Sequence, residues 1–290
     1  MFGSHLSTAG GLENALIRAR EMNMECVQVF TKNQRQWASK PLTGEQIRRW
    51  REHVESTGIR EIVSHDSYLI NLAASDRTIR EKSIRLFREE IERCEALEIP
   101  YLVTHPGAHV GQGEAKGLDR VVRALDRVHR GLRGYRTVTC LEITAGQGTT
   151  LGYRFDHLRT IRDGVREPER LTVCFDTAHA LAAGYDLTSR AGARRVFDEF
   201  DDVIGREHLR VFHLNDSKVP RGRRVDRHEH IGQGHVSLEA FAYIVNHREF
   251  RSVPKILETP KGVDGRGREW DEVNLSVLRK LIKKKVKRQR

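Results

Sequence analysis

The sequence predicts an α/β protein folded as a single (β/α)8 barrel, with a metal site at the C-terminal ends of its strands. Three observations predict it. Short β-rich runs alternate with amphipathic stretches of helical period, eight of each, a rhythm that argues parallel strands joined by crossover helices. The length, 290 residues, suits a barrel built as one domain. The runs also end, one after another, on His, Asp or Glu. A doubly wound open sheet is the rival. No strand–GxGxxG–helix opens the chain to support it, and Gly10-Gly11 reads as a simple turn.

In chain order the runs are 1–3, 26–30, 61–64, 101–104, 138–141, 172–175, 210–212 and 255–257. The helical stretches that follow them are 12–22, 44–57, 77–97, 116–132, 155–164, 189–204, 237–247 and 271–286. In 77–97 the apolar positions Ile79, Ile84, Leu86, Phe87, Ile91, Cys94 and Leu97 roughly keep helical spacing, with Ser75 or Asp76 as N-cap. In 237–247, Ser237 leads into Leu238, Phe241, Ile244 and Val245. The first run is very short. Internal repeats and linkers are absent, so residues 1–278 are expected to form one catalytic barrel, followed by a basic extension over 279–290.

Composition narrows the function classes. Hydrophobic residues make up 38% of the chain, yet no apolar run approaches the ~20 residues of a membrane span. The N-terminus, Met1-Phe-Gly-Ser-His5, turns polar at once and carries no signal-peptide pattern. A cytoplasmic protein without membrane association is the expectation. Cys26, Cys94, Cys140 and Cys174 form no CxxC pair, and three of them sit in strand-like runs as small hydrophobes, so no disulfide is expected. The net charge of +11 suggests nucleic acid, but residues 279–290 hold eight basic residues and no acid. Upstream of them 43 basic residues face all 40 acids, so the body is only +3. The bulk charge describes the extension more than the body.

The chemistry is concentrated where the runs end. They lead to His5, His65, His105, Glu142, Asp176, His213 and Glu258. A lone His at a strand end is usually a hydrogen-bonded structural residue, but a succession of such ends is hard to obtain that way, and barrel catalysis draws its groups from several strand ends. His179 follows in Asp176-Thr-Ala-His179, where a turn would carry it sideways towards a neighbouring metal. Asp226 and His228 lie two apart, so in an extended segment they point the same way. The pool of ligand types is then five His, two Asp and two Glu. One zinc takes three or four ligands, so nine suit two or three ions with a bridging carboxylate, for which Glu142 is the choice. Glu142 and Glu258 are the candidate catalytic carboxylates. Such a cluster suits in-line displacement at phosphorus. No Ser–His–Asp or Cys–His arrangement competes, and Gly146-Gln-Gly148 is too weak a signal for a phosphate loop.

These residues resemble the endonuclease IV family, the zinc-dependent apurinic/apyrimidinic endonucleases of base-excision repair. The matching stretches are Phe30-Thr-Lys-Asn-Gln-Arg-Gln-Trp37, His65-Asp-Ser-Tyr-Leu-Ile-Asn-Leu72, His105-Pro-Gly107, Thr144-Ala-Gly-Gln-Gly148, Asp176-Thr-Ala-His179, His213-Leu-Asn-Asp-Ser-Lys218 and Asp226-Arg-His228. They span the chain except its basic end. The resemblance implies three zinc ions; for the donor set itself, which suits zinc, manganese or iron is chemically possible. By it His65, His105 and Glu142 hold the first, Glu142, Asp176, His213 and Glu258 the second, and His179, Asp226 and His228 the third. It implies hydrolysis of the phosphodiester 5′ to an abasic site in duplex DNA, leaving a 3′-hydroxyl and a 5′-deoxyribose phosphate, and removal of blocking groups from 3′ ends. It also implies that Arg35, Tyr68 and Leu69 enter a bent duplex, a device that duplex-bending proteins use at an unstacking cost of a few kcal/mol. A monomer is expected.

Some positions depart from the family or exceed its needs. Ile143 stands after Glu142 where many members carry Asn, and its side chain is expected to face away from the metals. His5 and His109 fit supporting or DNA-facing roles, and His230 and His235 are left without one. The basic extension is not a family hallmark and should emerge opposite the metals, adding at most salt-sensitive, non-specific DNA affinity. The competing functions are a sugar isomerase or epimerase on a similar barrel, which needs fewer metals, and a DNA-binding protein without catalysis.

Overall fold

The computed structural model describes residues 1–283. Eight parallel strands close into a barrel: β1 Phe2–His5, β2 Cys26–Val29, β3 Glu61–His65, β4 Tyr101–Thr104, β5 Val138–Glu142, β6 Leu171–Asp176, β7 Leu209–His213 and β10 Lys255–Leu257. The ring closes through β1, which pairs with β2 on one side and β10 on the other. The short first run is therefore a full member, displaced by one or two residues from the sequence expectation. The outer helices are α1 Glu13–Glu21, α2 Gly44–Thr57, α3 Arg77–Ala96, α4 Glu114–Gly131, α5 Phe155–Gly164, α7 Arg190–Val203, α8 Leu238–Asn246 and α9 Trp270–Lys280. Local chemistry starts several of them. Thr43 and Gln46 form a reciprocal capping box on α2, while Asp76, Ser189 and Ser237 each accept a backbone N–H at the start of α3, α7 and α8.

Besides two 3-10 turns, Pro168–Arg170 and Arg206–His208, the structure holds a helix and a strand pair that the sequence does not predict. A seven-residue helix, α6 Thr177–Ala183, follows β6 directly. A two-stranded antiparallel pair, β8 Asp216–Ser217 with β9 His228–Glu229, stands above the barrel mouth. Both are too short to show a period in the sequence. At the other end, α9 stops at Lys280 instead of 286, so Arg279 and Lys280 belong to the barrel. Arg279 donates to the carbonyl of Asn23, between α1 and β2 and thus on the face opposite the strand ends. Residues 284–290, most of the expected basic extension, lie outside the described residues. No described helix is long and apolar enough to cross a membrane.

Strand alternation sorts the barrel into two populations. Outward residues such as Val27, Ile62, Leu102, Leu141, Phe175 and Phe212 join the large core beneath the helices. Inward, Cys26, Val63, Val103, Cys140, Cys174, Val211 and Ile256 form a separate plug. Gly3 occupies the same level on β1, where any Cβ would lie 1.8 Å from the Cys26 carbonyl oxygen, so only glycine lets β1 come this close. All four cysteines are buried and free.

Candidate metal centre

With a period of two, the next inward position on each strand lies one layer above the apolar plug. Those eight positions are His5, Gln28, His65, His105, Glu142, Asp176, His213 and Glu258. None is apolar. The plug closes the barrel from below, and the layer above it is a floor of imidazoles and carboxylates.

One ligand atom from each of His65, His105 and Glu142 lies within 4.8 Å of the others, and the same holds for Glu142, Asp176, His213 and Glu258, and for Asp176, His179 and His228. Asp226 joins the last group, its Oδ1 standing 3.3 Å from His179 Nε2 and 3.4 Å from His228 Nε2. All nine expected ligands therefore converge. Glu142 spans two groups: Oε2 faces His65 and His105 at 3.1 and 3.0 Å, while Oε1 faces His213 at 2.8 Å.

The imidazoles are oriented as metal ligands need them. His65 donates Nδ1–H to the Asp66 carbonyl at 2.9 Å, His179 to the Ile143 carbonyl at 2.9 Å and His228 to the Glu258 carbonyl at 3.2 Å. Each is left with a bare Nε2 turned into the cluster. His213 is reversed, donating Nε2–H to Gln28 Oε1 at 2.8 Å and presenting Nδ1. Tying one ring nitrogen to an acceptor fixes the tautomer and frees the other lone pair. The clearest sign is the approach of His179 Nε2 to His228 Nε2 at 3.4 Å. Two bare nitrogens and a carboxylate oxygen facing one point have no donor among themselves, so a cation or a proton must lie between them. This donor set fits metal ions, and the buried clusters could hold them.

The opposed charges of the cluster also act on its ionisable groups. Burial works to raise the Glu142 carboxyl, but the neighbouring His213 and His105 reverse it and hold it well below the usual carboxylate range. Glu258, likewise desolvated, is pulled well down by His213, and Asp226 by His179 and His228. The imidazoles respond in kind. Burial lowers His65, yet Glu142 lifts it to about 9, while Asp176 and Asp226 lift His179 well above its ordinary value.

Several supporting residues escaped the sequence reading. Gln28 was hidden inside a run taken to end at Phe30; its Nε2 donates to Glu258 Oε1 at 2.6 Å and contacts His5 Nδ1 at 2.9 Å. Asn215 donates to Asp176 Oδ2 at 2.6 Å and accepts the Glu258 N–H at 2.7 Å. The Asp216 carboxylate accepts backbone N–H groups from Ser217, Gly232, Gly234 and Val236, tying down the segment that carries Asp226 and His228. Gln147, in the weak glycine stretch, accepts the Asp226 N–H at 2.9 Å. The Cys174 thiol lies within ligand distance of Glu142 and His213, and burial pushes it well up.

Beside the cluster opens a cleft of about 800 Å³ lined by Arg35, Tyr68, Lys32, His228, Glu258 and Lys261. Arg35 is exposed, and Tyr68 stands 69% exposed with its ring 6.1 Å from His65. Leu69 is half-buried and packs on the helix-side core. The remaining histidines have places too. His5 packs against Phe30 at a tilt and approaches Glu258 at 3.4 Å. His109 accepts the Gly113 N–H at the start of α4, His230 stacks on Trp270 at 3.7 Å, and His235 is exposed. The Ile143 side chain is buried in the outer core, facing away as expected, and it is the Ile143 carbonyl that serves the site.

The family model described as Xylose isomerase-like TIM barrel matches residues 16–281. A probable endonuclease 4 of Geobacter sulfurreducens is 48% identical over 288 residues, 99% of this chain and 96% of that protein. One of Chloroflexus aurantiacus is 48% identical over 281 residues, 97% of this chain and 98% of that one. The crystal structure of endonuclease IV from Thermus thermophilus superposes with a TM-score of 0.83 at 33% identity, covering 97% of this chain and 98% of that one. A D-tagatose 3-epimerase-like protein, at TM-score 0.73 and 20% identity, shares the barrel and speaks to fold alone. With relatives this similar across nearly its whole length, the chain belongs to the endonuclease IV family.

Proposed function

We propose that the protein is a DNA-repair hydrolase that cleaves the phosphodiester 5′ to abasic sites in duplex DNA. The products would be a 3′-hydroxyl and a 5′-deoxyribose phosphate, and the same site would clear blocked 3′ ends. The observation that supports it is the convergence of three ligand groups, two of them sharing Glu142, beside one open cleft. Zinc is the occupant that five imidazoles and four carboxylates favour, with manganese the alternative. His65, His105 and Glu142 would hold one ion, Glu142, Asp176, His213 and Glu258 a second, and His179, Asp226 and His228 a third. Such ions, when bound, acidify water and neutralise charge on the phosphate and the departing oxygen.

The chain's own groups do the positioning. Glu142 uses its two oxygens on different ligand groups and so fixes their spacing. Glu258 is held through Oε1 by Gln28, which leaves Oε2 facing His213 at 3.1 Å. Arg35, Tyr68 and Leu69 are read as the residues that enter the base step. Arg35 and Tyr68 rise exposed beside the cleft, and the half-buried Leu69, next to Tyr68, would have to leave part of its core packing to do so. Lys32 lines the cleft wall with its ammonium held by the Asn33 and Gln36 carbonyls, and Lys261 lines it paired with Asp271. The basic residues beyond α9 are assigned only salt-sensitive, non-specific affinity, and the protein is read as acting as a monomer.

The test combines elemental analysis with cleavage of an abasic duplex, with and without chelator. About three zinc ions per chain are expected, with chelator-sensitive incision. Glu142→Gln should lose more activity than the ~10–100-fold typical of losing a supporting residue. One metal per chain, no incision and turnover of a ketose would reassign the protein to the sugar isomerases. Unchanged incision by Glu142→Gln would remove the carboxylate from the mechanism.

A further inference from the structure

The outer surface carries a second feature that the cluster does not use. Helices α3 and α4 pack side by side, and two adjoining cavities of about 580 and 420 Å³ run along their seam, sharing Glu81, Ile84 and Arg127. Nine cationic side chains line the two cavities against two carboxylates, Glu81 and Asp119. Both carboxylates are already engaged. Glu81 receives Arg127 through both oxygens at 2.7 Å, and Asp119 receives Arg123 at 2.9 Å. Arg77, Lys82, Arg85, Lys116 and Arg120 have no carboxylate partner among the described residues.

The direction of this stripe matters. Both helices start at the strand-end face, α3 from the loop after β3 and α4 from the loop after β4, and run down the flank. The Asp76 carboxylate caps the start of α3 and offsets its amide dipoles, so the positive charge at the rim comes from the Arg77 side chain. From Arg77 to Arg85 the helix rises about 12 Å, the axial length of about three to four base pairs of duplex. An excess of cations along a groove, with Arg77, Lys82, Arg85, Lys116 and Arg120 free of carboxylates among the described residues, suits a polyanion whose charge repeats along its length. An acidic protein surface would bring carboxylates without that repeat.

We propose that the α3–α4 seam binds the phosphate backbone of the duplex arm beyond the lesion, extending the DNA footprint from the cleft down the barrel's flank. This rests on the proposed function for the arm's starting point, but the contact itself needs no chemistry. The variant to make is the triple Arg77→Ser, Arg85→Ser, Arg120→Ser, which leaves the Glu81–Arg127 pair intact. Its charge-matched control is Arg190→Ser, Arg194→Ser, Arg195→Ser on α7.

Binding is measured by anisotropy against salt, on abasic duplexes with short arms of roughly 6 base pairs and long arms of roughly 20, and on an undamaged long duplex. With about 0.9 in log–log slope per phosphate neutralised, the seam variant should lose a slope of about 2–3 and bind the long duplexes roughly 10-fold or more weakly. The short duplex should be unaffected, kcat unchanged and the α7 control close to wild type. An unchanged slope on the long duplexes overturns the proposal and leaves the seam to an acidic protein. Equal weakening on short and long arms, or by both triple variants, overturns it too. If the wild type fails to incise an abasic duplex, the proposed function falls, while the undamaged long duplex still reads the seam.

Discussion

Gln28 decides which nitrogen of His213 carries the proton. Its carbonyl takes the Nε2–H, so Nδ1 must face Glu142 and Glu258. Gln28→Leu removes that acceptor and also the donor to Glu258. Metal affinity of the group around His213 should fall by about 10–100-fold, the range seen when a ligand's outer partner is lost. Competition with a coloured chelator measures this, and wild-type affinity in the variant would show that the imidazole needs no such guide. A second residue-scale effect lies away from the cluster. His129 is buried on α4, with only Thr139 Oγ1 near Nε2 at 3.3 Å. Burial, helped by Arg170, lowers it from 6.5 to about 4. The unfolded chain takes up this proton near 6.5 and the folded chain only near 4, so stability falls as pH drops between these values and levels off below. The loss from this site approaches about 3 kcal/mol. His129→Gln should flatten that part of the pH–stability curve in metal-free protein, as urea unfolding at pH 7 and pH 4.5 would show. Parallel curves for the two proteins would contradict the assignment.

At the scale of elements, the strands and the ligand loop were unequally legible. The barrel strands were readable because each inward ligand sits two residues beyond an apolar inward residue, as Val63 before His65 and Val211 before His213. Gln28 obeys the same rule after Cys26, but an amide inside an apolar run carries no metal signal. The loop above the barrel was readable only as a set of ligand types, since β8 and β9 are two residues each and owe their form to Asp216 and Gln147. Asp216→Ala would strip four backbone N–H groups of their acceptor and release the segment bearing Asp226 and His228. At limiting free zinc the metal content should drop by about one ion per chain while the deeper groups stay filled, which titration with elemental analysis would detect. Full loading would show that the loop is held by other contacts. For β1 the decisive contact is steric. Gly3→Ala pushes a methyl group into the Cys26 carbonyl, and overpacking of this kind costs about 1–3 kcal/mol or more. The urea midpoint should fall, and an unchanged midpoint would mean that β1 can move away from β2 freely.

For the whole molecule, every barrel strand delivers one inward polar group to the same layer, so the cluster joins all eight strands at one end. At the level below, the inward side-chain contacts between the strands are those of the apolar plug, added to the backbone ladder and the outer core. Metal ions in this layer would therefore stabilise the closed barrel as well as the active arrangement. Ligand binding to the folded state alone contributes RT ln(1 + [L]/Kd), about 4 kcal/mol for each site at a free concentration 1,000-fold above Kd. Chelation should lower the melting temperature of the whole domain in one cooperative transition, and added zinc should restore it. The proton arrangement gives this prediction a second readout. Against the effect of burial, the carboxylates that His65 and His179 face raise both rings and so favour their protonated forms, and a metal ion must displace any such proton to reach the nitrogens. Zinc binding should then release protons, and apparent affinity should rise steeply with pH through the neutral range. Calorimetry in buffers of different ionisation enthalpy measures the number released. A proton count near zero, with a melting temperature indifferent to chelator, would mean that the imidazoles are already neutral and that the barrel closes without help from its ligand layer.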